Sequence, residues 1–315
     1  MDLTTVVTQI AILFIMMLAG YAFGRLRLFS PHFSKDLTNL LVDAGLPCMI
    51  FISMLQKPSA GLHSASLWIF LVGLGFLLLS GLVATLLTRL LPIPGGKRGI
   101  WSFAATYANN AFMGFPVVYA LFGEEGLLLA AIFNAAVGIH LYTLGVLTLA
   151  ARPGAKIRMP LRQTLFSNIN IALLLGLFFF LTQIPLPAFI YTGVDSFGRI
   201  TTPLSMVIVG LHMSQGSLLR AFKDKSALGV TAMRLIFMPL LLIFLARFLV
   251  TTETILAYQV LAVSVAMPVA VIVVVLTERF EGMVDFATNT VVVSTSLSLI
   301  TIPLLMLLLQ SVAPG

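Results

Sequence analysis

The sequence predicts an all-α integral membrane protein whose ten helices form two inverted repeats of five, and three observations carry that prediction. The 315 residues are 59% hydrophobic and 9% charged, with a mean hydropathy of +1.08, far from the composition of a soluble domain. Apolar stretches near the length of a bilayer-spanning helix recur ten times. The prolines, glycines and asparagines that interrupt the first five stretches recur at nearly one spacing in the last five.

In order, the stretches run from Val6 to Gly24, Leu37 to Leu55, Ser66 to Thr88, Gly99 to Ala120 and Gly126 to Ala150, then from Thr164 to Thr182, Phe189 to Leu211, Ala227 to Val250, Glu253 to Leu276 and Asp285 to Gln310. Each approaches the roughly 20 apolar residues that a bilayer demands, and the short connections leave no room for a large soluble domain. The first has no basic region ahead of it and no small-residue cleavage pattern, so it reads as a retained span. Bends are expected at Pro47 and Pro203.

Cationic residues fall on alternate loops. Odd-numbered loops hold Arg25, Arg27 and Lys35, then Arg89, Lys97 and Arg98, then Arg152, Lys156, Arg158 and Arg162, then Arg220, Lys223 and Lys225, and finally Arg279; even-numbered loops hold only Lys57 and Arg247. Lysine and arginine mark cytoplasmic loops, so odd loops are expected inside and both termini outside, with Glu124 and Glu125 outside as well. The net charge of +7 is thereby topology, and no nucleic-acid partner is expected. One cysteine, Cys48, excludes a disulfide framework and a cysteine-rich metal site.

The repeat rests on Gly20 with Gly176, Pro47 with Pro203, Asn134 with Asn289 and Pro116 with Pro268, at offsets of 156, 156, 155 and 152. Residues 1–150 form the first repeat, 151–167 a basic cytoplasmic connection and 168–315 the second repeat. Five spans is an odd number, so the second copy enters the membrane from the opposite side, an arrangement typical of secondary transporters.

The binding chemistry is expected where the fourth and ninth spans are broken. Tyr107-Ala-Asn-Asn-Ala-Phe-Met-Gly-Phe-Pro116 puts Asn109, Asn110, Gly114 and Pro116 near the membrane midplane, and the ninth span supplies Ser264 and Pro268. Glycine relaxes the backbone and proline removes an N–H, so each stretch suits a junction between two half-helices. Two such helices crossing at their breaks would aim two N-termini, each worth roughly half a positive charge, at one point suited to a carboxylate. The same prolines also suit simple kinks. Asn134 and Asn289 suit either the flank of the site or interhelical hydrogen bonds, and the hydroxyl run of Thr288, Ser294, Thr295, Ser296 and Ser298 suits close helix packing.

Ionisable residues inside spans ask for a partner or a role. Asp43, four residues before Pro47, is the candidate for proton coupling. Asp195 and Arg199, one turn apart, read as a structural ion pair. Arg234 is given a structural role. No enzymatic activity and no cofactor or metal is expected: His32, His63, His140 and His212 lack ligand spacing, and neither a Gly-x-Ser-x-Gly elbow nor a phosphate-binding loop is present.

In these residues the chain resembles the auxin efflux carrier family, which includes the plant PIN-type auxin exporters and carriers assigned to malate and malonate. The resemblance lies in Ala-Gly-Tyr-Ala-Phe-Gly-Arg25, Leu46-Pro47, Asn109 to Pro116 followed by Gly123-Glu-Glu-Gly126, and Ala266-Met-Pro268-Val-Ala. It implies the PIN-like, bile-acid-symporter-like fold, with a scaffold from spans 1, 2, 6 and 7 and a transport domain from spans 3–5 and 8–10. It also implies a small organic anion such as a mono- or dicarboxylate as substrate, elevator-like motion, a homodimer, and Pro47 facing the substrate. The third span here carries no acid or lysine, and the long loop of plant exporters is reduced to the basic connection. The expected function is a secondary transporter in the bacterial cytoplasmic membrane; the alternatives are a sodium-coupled symporter of the bile-acid type or a non-transporting receptor.

Overall fold

The computed structural model describes residues 3–55, 61–149, 167–215, 218–280 and 282–312. Lys57, Arg152, Lys156, Arg158 and Arg162, and with them nearly all of the basic connection, lie outside the described residues. Regular structure among the described residues is helix, with one isolated β-bridge.

Every apolar stretch carries helix. The first half comprises α1 (Leu3–Arg25), α2 (Pro31–Leu40), α3 (Leu46–Ser53), α4 (Leu62–Leu90), α5 (Gly95–Thr106), α6 (Phe115–His140) and α7 (Val146–Leu149). The second comprises α8 (Asn168–Thr182), α9 (Ala188–Arg199), α10 (Thr201–Gln215), α11 (Leu218–Lys223), α12 (Lys225–Ala232), α13 (Met238–Ala246), α14 (Ile255–Val265), α15 (Ile272–Arg279) and α16 (Val284–Val312). Side-chain caps start several of them. The Ser30 hydroxyl accepts from Phe33 N ahead of α2, Ser167 from Asn170 N ahead of α8, and Asp224 from Ser226 N and Ala227 N ahead of α12. Gly123, at φ +64°, bends α6 between the two spans that the sequence separates there.

Three prolines share one arrangement. Pro47, Pro116 and Pro239 each lie at the second position of an α-helix, and each of those helices follows a π turn: Leu41–Gly45, Asn110–Gly114 and Met233–Phe237. A proline ring clashes with the carbonyl four residues back and offers that carbonyl no N–H. The wider π turn absorbs the mismatch without ending the helix. A fourth π turn, Leu141–Gly145, joins α6 to α7.

The surface is that of a lipid-facing protein. On α4, Leu67, Leu71, Leu78, Leu82 and Leu86 are exposed, while Ala65, Ile69, Gly73, Ser80 and Ala84 are buried. An exposed leucine stripe over a small-residue inner face reverses the pattern of a soluble helix. Among the described residues, five helical stretches, including Leu62–Leu90 and Asn110–Leu149, are long and apolar enough to cross a membrane.

Glycines set the closest contacts. A Cβ on Gly20 of α1 would overlap the Val207 backbone of α10, and one on Gly210 would overlap the Met17 carbonyl. Gly176 of α8 lies against Met54 and Phe51, at the end of α3. In the other half, Gly73 of α4 admits the ring of Phe133 on α6. Lys97 Nζ bonds both carboxylate oxygens of Asp224, at 3.1 and 3.0 Å, and lies 4.5 Å from the Phe286 ring centroid, so it ties α5 to the start of α12 and to α16.

Candidate functional site

The site is built where α5 and α14 stop. Thr106 ends one and Val265 the other, and the residues that follow meet in an antiparallel bridge between Ala108 and Val269. Asn109 N donates to the Pro268 carbonyl at 2.8 Å, and Ala270 N to the Tyr107 carbonyl at 3.1 Å. In a hydrocarbon environment the remaining broken-backbone groups need partners from within the protein. Ser294 of α16 supplies one, its hydroxyl accepting from Val269 N at 3.1 Å.

Arg234 supplies donors for four carbonyls. Its guanidinium donates to the carbonyls of Ala105 (3.2 Å), Thr106 (2.9 Å), Met267 (3.2 Å) and Val265. Those oxygens belong to the C-terminal ends of both α5 and α14, where the helix dipoles are negative. The side chain is 1% exposed, and it is delivered there by the π turn that precedes Pro239. Arg234 therefore holds the two breaks together as a buried cation with five N–H donors in a planar fork.

Beside the bridge, the Tyr107 hydroxyl lies 2.6 Å from His140 Nδ1 and 3.1 Å from the His140 carbonyl. Gly145 makes room for it, since a Cβ there would strike the phenol. Asn109 and Asn110 are both buried. Asn109 Nδ2 and Asn110 Oδ1 have no hydrogen-bond partner among the described residues, one free donor and one free acceptor at the junction. Asn110, Thr106 and Arg234 border a void of about 10 Å³, the size of one water. Gly114 sits against Asn110 and Met267, and Ser264, also buried, closes the end of α14.

A larger cavity of about 330 Å³ lies between α1, α3, α9 and α10 on one side and α6 on the other. Its wall includes Met49, Ser53, Tyr119 and Thr202, and its charged rim is Glu124, Asp195 and Arg199. Arg199 Nε donates to Asp195 Oδ2 at 2.8 Å. Glu124, in the connection at the Gly123 bend, has its carboxyl pushed up from the usual range, first by burial and then by Asp195, with Arg199 opposing.

Several sequence expectations land elsewhere. Pro116 lies beyond the break, in the first turn of α6, whereas Pro268 lies within the break itself, so the two prolines do not hold equivalent places. The residues opposite one another are Ala108 and Val269, because the chain leaves helical geometry at Tyr107, well before its glycine and proline. Asp43 lies in the π turn Leu41–Gly45, is exposed, and accepts at 3.0 Å from Nδ2 of Asn168, the first residue of α8, apart from the paired breaks. Pro47, Asn134 and Asn289 are half-buried and line neither the void nor the 330 Å³ cavity. Arg234, Ser294 and the Tyr107–His140 pair are the residues the sequence reading did not place at the junction. The one available signal was a lone arginine in an apolar span beside Pro239.

Residues 5–306 fit the family model described as membrane transport protein. An uncharacterized transporter of Methanothermobacter thermautotrophicus is 27% identical over 290 residues, covering 92% of this chain and 94% of that protein. An uncharacterized transporter of Methanocaldococcus jannaschii is 24% identical over 306 residues, covering 94% and 96%. The chain belongs to this membrane transport protein family, the auxin efflux carrier family, and is a helical membrane protein of that transporter lineage.

Proposed function

We propose that the protein is a secondary transporter that carries a small organic anion, such as a mono- or dicarboxylate, across the cytoplasmic membrane by elevator-like alternating access. The observation that carries this reading is Arg234. Four helix ends meet at the paired breaks: the C-termini of α5 and α14, and the N-terminal ends that begin at Asn110 and Ile272. Each end is worth roughly half a charge, so the guanidinium offsets both negative ends and leaves the two positive ends unopposed. A positive centre with a free amide donor favours a carboxylate.

Two inverted repeats supply the moving parts in this reading. Gly20 packs on Val207 and Gly176 on Phe51; both pairs of counterparts are separated by 156 positions. Gly45 and Thr201, again 156 apart, touch one another, as residues near a two-fold axis do. α1, α2, α3 and α8 to α10 form the scaffold, and the remaining helices the transport domain. The 330 Å³ cavity lies on the boundary between them and serves as the substrate vestibule on the side of Glu124, which the charge pattern assigns to the outside along with both termini.

The sodium-coupled alternative calls for backbone carbonyls free to ligate an ion at broken helices. Here the carbonyls of Ala105, Thr106, Val265 and Met267 already accept from Arg234. A thermal-shift screen of mono- and dicarboxylates on purified protein, at two pH values and with and without sodium, tests the proposal. Stabilisation by at least one carboxylate that does not require sodium supports it. Stabilisation by none, or only with sodium, overturns it.

A further inference from the structure

A second, larger cavity lies away from the vestibule. It is a groove of about 680 Å³ among α4, α5 and α7, wholly within the half of the chain that ends at Leu149. We propose that this groove binds an anionic phospholipid, its phosphate at Arg89 and Arg98 and one acyl chain laid inward towards Tyr107.

The groove has two chemically distinct ends. At its mouth stand Arg89, in the last turn of α4, and Arg98, in the first turn of α5, both exposed. Arg98 is held in place by its Nε, which donates to the Ile93 carbonyl at 3.1 Å. Gly95, the first residue of α5, lines the same mouth, so the positive end of a twelve-residue helix adds to the two guanidinium groups. Basic pockets between membrane helices are suited to acidic headgroups.

Inward, the polar side chains of the walls are already paired with the protein. Thr85 and Ser102 bond each other at 2.9 Å, Thr88 donates to the Thr85 carbonyl, Thr106 to that of Ser102 and Thr148 to that of Gly145. A chain lying there meets methyl groups, glycines and the side chains of Leu78, Leu82, Leu144 and Leu147, and it need not satisfy hydroxyl groups. Those four leucines are also exposed on the lipid-facing surface, so the groove opens sideways to the bilayer, where a lipid enters and a soluble metabolite does not. From Arg89 to Leu78 the α4 wall runs about 16 Å at 1.5 Å per residue, close to the roughly 15 Å depth of one leaflet's hydrocarbon. The groove's floor is Tyr107 and His140, the pair beside the paired breaks. A bound chain thus packs directly on the residue where α5 stops.

The proposal needs the chain to sit in a membrane and nothing of the substrate reading. It is tested on the full chain in detergent by thermal shift with phosphatidylglycerol and, in parallel, phosphatidylcholine of the same acyl chains, free palmitate and inorganic phosphate. Phosphatidylglycerol is expected to stabilise the protein more than the other three. In an Arg89→Gln/Arg98→Gln variant the apparent affinity for it is expected to fall about thirtyfold, on the basis of about 1 kcal/mol per cationic residue. Equal effects of phosphatidylglycerol and phosphatidylcholine, an equal effect of palmitate or phosphate, or an unchanged affinity in the double variant overturns the proposal. A photoactivatable phosphatidylglycerol on the unmodified protein keeps the test open should that variant not fold. Labelling within residues 78–107 or 140–148 supports the site, and labelling confined elsewhere overturns it.

Discussion

Asn109 N donates to the carbonyl of Pro268 at 2.8 Å, joining a residue of the first half of the chain to one of the second at the point where both helices are interrupted. The second bond of the bridge runs from Ala270 N to the Tyr107 carbonyl; proline has no N–H to offer the Asn109 carbonyl, which accepts instead from Met113 N and Gly114 N, and Arg234 takes the carbonyls at the ends of the two helices. Two side chains, Arg234 and Ser294, add to the backbone bonds of the junction.

Removing Arg234 is expected to be severe. Arg234→Ala strands four buried carbonyls, and Arg234→Lys offers a single ammonium that does not reproduce the planar fork. A buried carbonyl left without a partner costs about 1–3 kcal/mol, so the alanine variant should lose at least that much, with the lysine variant in between. Thermal melts of the purified variants check this, and an unchanged melting temperature for the alanine variant would refute the structural role.

Ser294 and Ser296 separate a site hydroxyl from a packing one. Ser294→Ala leaves the Val269 N–H buried without a partner and should cost about 1–3 kcal/mol. Ser296 bonds only the Val292 carbonyl of its own helix, so Ser296→Ala should stay within about 0.5 kcal/mol. Equal melting temperatures for the two would count against the capping role.

How much of this was legible in the sequence follows from which groups carry the bonds. Apolar runs located the helices because hydrocarbon thickness sets their length, and Pro116 and Pro268 drew attention to the right two spans. The exact break escaped because a π turn accommodates Pro116 without interruption, so α5 ends at Thr106 for reasons of pairing with Val269. Arg234 was visible as a residue but not as a cap, since its partners are backbone carbonyls and these have no residue type to recognise. Ser294 was hidden among neighbouring hydroxyls that bond only their own helix.

The close approach of α1 and α10 predicts opposite outcomes for two glycines. Gly20→Ala forces a methyl into the Val207 backbone and should cost about 1–3 kcal/mol. Gly75 has open space around it, and Gly75→Ala should be neutral or stabilising by roughly 0.5–1 kcal/mol, the helix preference of alanine over glycine. Parallel melts decide, and a harmless Gly20→Ala would show that the helices are not in backbone contact.

The Glu124 carboxyl titrates above its ordinary value of 4.5, so its charged form is disfavoured in the folded protein. That penalty is absent below the unfolded value, builds as pH rises towards the folded one and is complete above it. Glu124→Gln should therefore melt higher than the parent at pH 7, with the gain shrinking as the pH approaches 4.5. A gain that is constant with pH would show that the charge is not the cause.

In the proposed function, Arg234 is a fixed internal cation that makes the paired breaks receptive to an anion. Counterflow of radiolabelled mono- and dicarboxylates in proteoliposomes, with sodium and with choline in its place, measures this most directly. Sodium-independent exchange of at least one carboxylate by the parent protein, abolished in a folded Asn109→Ala or Asn110→Ala variant, is the predicted result; no carboxylate exchange, or exchange that stops when sodium is withdrawn, would contradict it.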